Sequence, residues 1–513
     1  MAAVMPAVNP IVVDSLSLLS LKCASRTFDL SSRLAHVSMR DQIVRAQLLA
    51  RDLKRFDADA VCVLVVGAGV AGAAFAIEAA QAGLEVTVVE AEANPLHLQS
   101  GVTTRFVGPF LYEWPSVFHD DQNYPPAAGR HLGAAPPLTP TWGDNQPVSA
   151  AAMATQFLDG LRQARRALGA TAPALWFDVD KAEVKGFVRR FVHASTLNFW
   201  RWMAGLPQRP MPRLALTRGN ADPVNPPGAA ALAAFVPDYV VLAAGMGQEN
   251  TSLPPAAGSP STVSGKRFWE VDDLKDPALA DLQVGVFGGG DGALQDVLRL
   301  LTRFEHPLQL IAALRERAVV RKLLDRQESA LLTIEQQNRL IGTWTLGKDV
   351  FAEVDAASRD VAAALASDPA LRRSLVRQLR KGSGSVQHFV RDAHFGKAYL
   401  LNRFVVHLID EARRTAIANG ESGWNSTVDY RLHFGAEATG ALQRGGGAPG
   451  LPYHVQIRDA KGNVQACDFD RVVVRLGLDQ QAVGASQLVQ LSPQDSGQRT
   501  AIAQVPLPFV TSR

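Results

Sequence analysis

The chain has 513 residues, too many for one compact core, and is 47% hydrophobic and 20% charged, the balance of an ordinary globular protein. A net charge of +3 gives no electrostatic case for nucleic acid or an anionic membrane. Cys23, Cys62 and Cys467 are too few and too far apart for a disulfide framework, a zinc site or a C-x-x-C pair, so no metal site is expected and a reducing compartment is. Asp14 precedes the first basic residue, Lys22, unlike the basic start of a signal peptide, and the expected location is the cytoplasm.

Residues 1–38 carry little pattern. From Met39 to Phe56, Ile43, Val44, Leu48, Leu49, Leu53 and Phe56 fall at helical spacing, with Arg40, Arg45, Arg51, Lys54 and Arg55 expected on a solvated face. Val61 to Val66 is then a continuous apolar run, as a strand buried on both faces requires. It leads into Gly67-Ala68-Gly69-Val70-Ala71-Gly72, a G-x-G-x-x-G turn. A small-residue helix to about Gln81 and a strand Glu85 to Val89 follow, ending at Glu90. Gly67 permits the turn, Gly69 lets a pyrophosphate approach the backbone, and Gly72 lets helix and strand close together. The helix N-terminus offers N–H groups and positive dipole to phosphate, and Glu90 is placed to accept ribose hydroxyls. Ala60 to Ile77 is an uncharged run, but glycines at turn spacing in its middle make it a βα unit and no membrane span.

The stretch after Glu90 is rich in Gly, Pro and aromatics without periodicity, the character of a functional loop. Ser100, Thr103 and Arg105 are candidates to reach a pyrophosphate or flavin carbonyl, and Tyr112, Trp114 and His119 to wall a pocket, with Arg105, Tyr112 and His119 also weak catalytic candidates. A helix is expected over Ala150 to Leu168, and strands over Ala174 to Phe177 and Val184 to Val192. Phe235 to Gly245 holds an acid, Asp238, then an apolar strand whose Ala243-Ala244-Gly245 ending lets backbone pass beside a nucleotide without obstruction. Glu249 to Val263 reads as a linker.

A second unit begins at Leu282. A strand to Phe287 runs into Gly288-Gly289-Gly290-Asp291-Gly292-Ala293, followed by a helix to about Phe304 and an expected strand over Leu308 to Ala313. That strand lacks a terminal acid and is followed by Arg315 and Arg317, which favours NADPH over NADH. Residues 315–419 read as almost entirely helical, with His388, Arg391, His394, Lys397, Tyr399, Asn402 and Arg403 a dense polar group in which His394 and Lys397 are weak catalytic candidates. Short alternating strands follow Gly420, and Asp470 to Gly477 repeats the form of the Asp238 to Gly245 strand.

In its order of turn, Gly-ended strand, linker, turn, hairpins and second Gly-ended strand, the chain resembles the two-dinucleotide-binding-domain flavoproteins, which include thioredoxin reductases and flavin-dependent monooxygenases. The resemblance implies an α/β fold of two Rossmann-like domains, to which the long helical pattern after Arg315 adds an inserted helical subdomain. It implies FAD at Gly67, Ala68, Gly69, Val70, Ala71, Gly72 and Glu90 beside Ala244 and Gly245. NADPH (or NADH) is implied at Gly288, Gly289, Gly290, Asp291, Gly292 and Ala293. The expected division is an N-terminal arm and helix over 1–59, an FAD domain over 60–263 and 465–513, an NAD(P) domain over 280–314 and 420–464, and a helical insert over 315–419. The resemblance covers well under half of the chain, and its motifs say nothing of the substrate. The chain departs from the family in lacking a redox cysteine pair, the monooxygenase Phe-Gly-His signature and the usual Gly-Asp after Gly477.

The expected activity is hydride transfer from NADPH to FAD and onward to oxygen or a small organic substrate, monooxygenation leading by elimination of a thiol relay. The alternatives are an FAD oxidase or dehydrogenase with a vestigial second site, and an FAD/NADPH-sensing interaction protein.

Overall fold

The computed structural model describes residues 18, 21–30, 38–115, 146–217, 219–221, 235–258, 262–340, 351–396, 398–444, 451–478 and 488. Two sheets organise them, one behind each glycine turn, the first parallel except at its two edge pairs and the second parallel throughout.

The first sheet has the order β1-β2-β9-β3-β4-β7-β8, with β1 Lys22–Ala24, β2 Thr27–Asp29, β3 Cys62–Val66, β4 Glu85–Val89, β7 Ala174–Phe177, β8 Asn220–Ala221 and β9 Tyr239–Leu242. β3 pairs in parallel with β4 on one side and with β9 on the other, and β4 with β7. The sequence returns to the far side of β3 only at β9, so the order reverses at β3, the switch point where open α/β sheets bind ligands. Val63, Val65 and Val241 face one core and Leu64, Val240 and Leu242 another, which is why these strands read as unbroken apolar runs. β1 and β2 extend the sheet, β2 pairing in parallel with β9, although residues 1–38 carry little pattern. A short pair, β5 Phe106–Val107 and β6 Val148–Ser149, lies outside both sheets.

The helices α1 Met39–Phe56 and α2 Val70–Gln81 pack on each other over this sheet. Ser38 caps α1, its Oγ accepting from the Asp41 N–H at 3.2 Å. The basic face expected on α1 is solvated only toward its end, where Arg55 is exposed. Arg40 is 1% exposed and Arg45 5%, and Arg51 pairs with Glu78 of α2. The Arg40 guanidinium donates to Glu113 at 2.6 and 2.7 Å, to Asp41 at 2.8 Å and to the Pro109 carbonyl at 2.7 Å. Helical spacing shows which way a side chain points, not whether a second segment covers it; here residues 109–113 do. The expected helix α3 Ala150–Leu168 is present, whereas the expected strand 184–192 is a helix, α4 Lys181–Met203, capped by Asp180.

The second sheet has the order β12-β11-β10-β16, with β10 Gln283–Phe287, β11 Ser385–Val390, β12 Asp429–Phe434 and β16 Arg471–Val474, all pairs parallel. It repeats the arrangement β7-β4-β3-β9 strand for strand. α5 Asp291–Leu301 follows the second turn. The strand expected over 308–313 is instead a helix, α6 Pro307–Arg315, because Pro307 fixes φ at its first turn and Leu310, Ile311, Ala313 and Leu314 bury one helical face. The second strand of the unit is β11, inside the stretch read as helical. Between α5 and β11 stand α6, α7 Ala318–Leu340, α8 Ala352–Ala366 and α9 Pro369–Leu375. Helix α10 Leu400–Ala418 then leads to β12. The antiparallel sheet β13-β14-β15, with β13 Glu437–Gln443, β14 Tyr453–Arg458 and β15 Val464–Phe469, sits between β12 and β16.

Chain passes between the two units in three described places. Residues 101–115 leave the first unit and seat Trp114, fully buried, in the second core, edge-on to Phe404. The segment after β9 and the end of β16 run side by side, Asn250 N–H donating to the Gly477 carbonyl at 2.8 Å. Leu488 lies in the first unit's core, whereas β15 and β16 pair within the second unit. No helix among the described residues is long and apolar enough to cross a membrane.

Candidate functional site

At the first turn the three glycines have different physical duties. Gly67 has φ +106°, and a Cβ there would lie 2.3 Å from the Ala243 carbonyl oxygen. A Cβ on Gly72 would lie 2.0 Å from the Gly67 oxygen, so both positions are closed by backbone. Gly69 has nothing within 4 Å of its Cβ position, and it is the N-cap of α2 without a side-chain cap. The turn is therefore sealed beneath and open at the helix N-terminus, the form of a phosphate cradle. The Gly67 N–H donates to the Val89 carbonyl at 2.8 Å, which brings Glu90 to the cradle's edge. There the Glu90 carboxylate accepts from the Ala68 N–H at 2.6 Å and from the Glu92 N–H at 3.0 Å. Ala243 N–H donates to the Val66 carbonyl at 2.7 Å, and beyond it Ala244 and Gly245, at φ +81°, are exposed beside the turn.

The second turn is built the same way. Gly288 has φ +137°, its Cβ position 2.0 Å from the Arg475 carbonyl oxygen, and its N–H donates to the Phe389 carbonyl at 3.0 Å. Gly290 is the N-cap of α5, without a side-chain cap, and Ala293 is fully buried. Gly289 faces Val390, and Gly292 faces Phe268. His388 supports the turn from within the sheet, Nε2 lying 2.6 Å from the Gly288 oxygen and Nδ1 3.0 Å from the Tyr430 hydroxyl. Burial pushes this imidazole down to about 4, so it is neutral. Asp291 accepts from the Tyr399 N–H at 2.9 Å and from Asn402 Nδ2 at 2.7 Å, while burial raises its carboxyl to about 6.

The matching hydrogen bonds from Gly67 to Val89 and from Gly288 to Phe389 make Val390 the counterpart of Glu90. No carboxylate stands there; exposed Arg391 follows, with Asp392 4.0 Å away. Arg315 does not reach the second turn. It donates to the Pro115 carbonyl at 2.9 Å and lies over the Trp114 ring at 5.3 Å, because it ends a helix and not the second strand.

The described loop candidates Ser100, Arg105, Tyr112 and Trp114 are engaged by other parts of the protein. Ser100 Oγ donates to the Leu96 carbonyl at 3.1 Å. Arg105 is 1% exposed, paired with Asp296 and, at 3.0 Å, with Asp272, and donates to the Phe268 carbonyl at 3.0 Å. Asp296 is also held by Arg475 at 2.8 Å. Burial opposes charge on Asp296, yet Arg105 and Arg475 hold its carboxyl below the ordinary range. Arg105 thus joins the 101–115 segment to α5 and is not free for a pyrophosphate. Tyr112 packs on Tyr399 with ring centroids 5.2 Å apart, and burial raises its phenol. His119 and Lys397 lie outside the described residues. His394 lies in the loop after β11 and not on a helix.

Tyr399 and Asn402 were singled out only as part of a dense polar group, and the Asp296 cluster was not foreseen. Its signal is present in α5, where Asp296 and Arg299 sit three apart among apolar positions that are all buried. All three cysteines are free; burial, then neighbouring Glu85, pushes Cys62 up to about 12, and burial raises Cys467 as well. Neither is an activated thiolate.

Residues 62–204 match the family model DAO, described as FAD dependent oxidoreductase. No curated protein sequence matches the chain at a significant level. Among solved structures, a bacillithiol disulfide reductase from Staphylococcus aureus is similar at 12% identity and a TM-score of 0.35, over 81% of this chain and 76% of that one. A T. acidophilum thioredoxin reductase is similar at 12% identity and 0.33, over 83% and 79%. Histamine dehydrogenase from Rhizobium sp. 4-9 is similar at 11% and 0.29, over 88% of this chain and 42% of that one. The match to the FAD dependent oxidoreductase model spans the first glycine turn, its acid-tipped strand and α4.

Proposed function

We propose that the chain is an oxidoreductase with FAD at the first turn and NADPH at the second. The paired cradles carry this reading: each is closed by backbone at its first glycine and uncapped at its helix N-terminus. The residues present fit the ADP half of FAD, because the open Gly69 position and the α2 N-terminus suit a pyrophosphate and Glu90 suits a ribose. The Ala68 N–H fixes the Glu90 carboxylate before any ligand arrives. When bound, FAD supplies two-electron chemistry, accepting hydride from NADPH and passing the electrons to oxygen or a small organic substrate.

NADPH is favoured over NADH on new grounds. Val390 replaces the acid that would repel a 2′-phosphate, and the exposed Arg391 beside it takes the role first expected of Arg315. A thiol relay is disfavoured because Cys62 and Cys467 are held as thiols and no cysteine pair exists in the sequence. A monooxygenase-like outcome is the reading that remains.

The test is an absorbance spectrum of the purified protein, then anaerobic NADPH or NADH, then air. Flavin bands bleached faster by NADPH than by NADH, and restored by air, support the proposal. A second reading is an FAD oxidase or dehydrogenase whose second turn takes no ligand; the prior engagement of Asp291 by Tyr399 and Asn402 favours it. Flavin that neither nucleotide bleaches would establish that reading and sink the first.

A further inference from the structure

Helix α4 lays Val184, Phe187, Val188, Phe191, Ser195 and Asn198 against the first sheet, a run at helical spacing. Burial then stops while the apolar character does not. Phe199 is 49% exposed, Trp200 62%, Trp202 63% and Met203 60%, and Leu206 in the following turn is 51%. The tip is a built feature and not a frayed end. Asn198 Nδ2 donates to the Arg209 carbonyl at 2.8 Å, and its Oδ1 accepts from the Arg209 N–H at 2.8 Å, clamping the chain's exit to the helix. Within the loop, Leu206 N–H donates to the Arg201 carbonyl at 2.7 Å, and Arg201 Nε to the Pro207 carbonyl at 2.6 Å. Phe199 packs edge-on to Trp200 with centroids 5.4 Å apart, so the rings form one cluster facing solvent.

Charge says what covers it. From Val184 to Ala221 the chain carries seven Lys or Arg and no Asp or Glu, so the net +3 of the whole chain leaves −4 for the remainder. Exposed Arg209 and Arg213 follow the tip, Arg209 being clamped to it through Asn198, while exposed Arg189 and Arg190 lie about three turns earlier on the same helix. An aromatic tip with a basic flank matches the interface of an anionic bilayer, where Trp rings sit at headgroup depth and Lys or Arg meet the phosphates. Two copies meeting through this surface would bring like charges together.

We propose that the α4 tip is a docking site for anionic membrane surfaces, inserting Trp200 and Trp202 while the arginines stay with the headgroups. It is a peripheral contact, independent of the redox reading.

The test is co-sedimentation of the full-length protein with vesicles of phosphatidylcholine alone and of phosphatidylcholine mixed with phosphatidylglycerol, alongside tryptophan emission. Sedimentation with the mixed vesicles only, weakened by salt and accompanied by a blue shift, is the expected result. Trp200→Ser with Trp202→Ser should weaken that binding about tenfold or more. Arg209→Glu with Arg213→Glu should weaken it and reduce its salt dependence. All four side chains are exposed, so unchanged melting and flavin content identify folded variants. Failure to bind mixed vesicles, equal binding to neutral ones, or full binding by the Trp variant overturns the proposal. So does a dimer that the Trp variant converts to monomer with no vesicle binding, which would assign the tip to a second copy.

Discussion

The Tyr399 hydroxyl donates to the Asp41 carboxylate at 2.5 Å, joining the helix before the first glycine turn to the chain beside the second. Ser38 N–H donates to the same hydroxyl at 2.8 Å, and Ser38 Oγ to Asp41 at 2.7 Å. One residue therefore touches α1 through its side chain and Asp291 through its N–H. Burial, reinforced by Asp41, holds the phenol well above its ordinary pKa, so it remains the donor.

Tyr399→Phe removes that donor without creating a large cavity and leaves the Ser38 N–H without its acceptor. The expected loss is about 1–3 kcal/mol of unfolding free energy, the cost of unsatisfied buried polar groups. Urea denaturation with an unchanged m-value checks it; no change in midpoint would show that solvent replaces the bond.

The two glycines of the first helix should separate fold from binding. Gly72→Ala forces a carbon to within 2.0 Å of the Gly67 oxygen, so the turn must move, and a lower melting temperature and flavin-free protein are expected. Gly69→Ala meets nothing within 4 Å, at a φ of −67° that any residue adopts. Its fold should be intact while FAD affinity drops about tenfold or more, since about 1.4 kcal/mol of cradle contact suffices for that. Thermal unfolding and flavin titration of the two variants check the contrast; equal flavin affinity in Gly69→Ala and the parent would move the pyrophosphate elsewhere.

Arg105→Met tests whether Arg105 is structural. Removing one partner from a buried ion cluster leaves Asp296 and Asp272 short of a cation, at a cost of about 3–5 kcal/mol. Stability should fall while FAD affinity of the folded fraction holds. A weaker flavin complex with unchanged stability would restore the cofactor role first expected for this residue.

The parts of this fold legible in the sequence are those where only one residue type is tolerated. Gly67 and Gly288 stand where backbone approaches the absent Cβ, so the turns and the strands feeding them are plain in the letters. β11 was hidden because Val386 and His388 are both buried, as is Phe389 facing the other way, and a strand covered on both faces has no alternation to read. α6 resembles a strand in the sequence because a short apolar run has no decisive period, although Pro307 marks a helix start. The site residues not legible are those whose partners lie far along the chain. Arg40 looks like any surface arginine until Glu113, 73 residues on, closes over it.

Asp291 supplies a pH dependence with a definite sign. Its carboxyl stands at about 6 folded, against about 3.9 for an unfolded Asp, so between those values the folded chain binds more proton than the unfolded one. Its contribution to stability is therefore greatest in acid, is lost as pH rises from about 4 to about 6, and is flat above. Asp291→Asn keeps an oxygen to accept from Tyr399 and Asn402 and removes the titration. Buried His306 and His388, both pushed down to about 4, act with the opposite sign in the same window. They are present in both proteins, so they cancel in the difference. Relative to Asp291→Asn, the parent should thus lose stability as pH rises across this interval, measured as the gap between urea midpoints at acid and neutral pH. A gap that stays constant would mean that Asp291 is ionised throughout, stabilised as a carboxylate at the α5 N-terminus by the same N–H groups assigned here to phosphate.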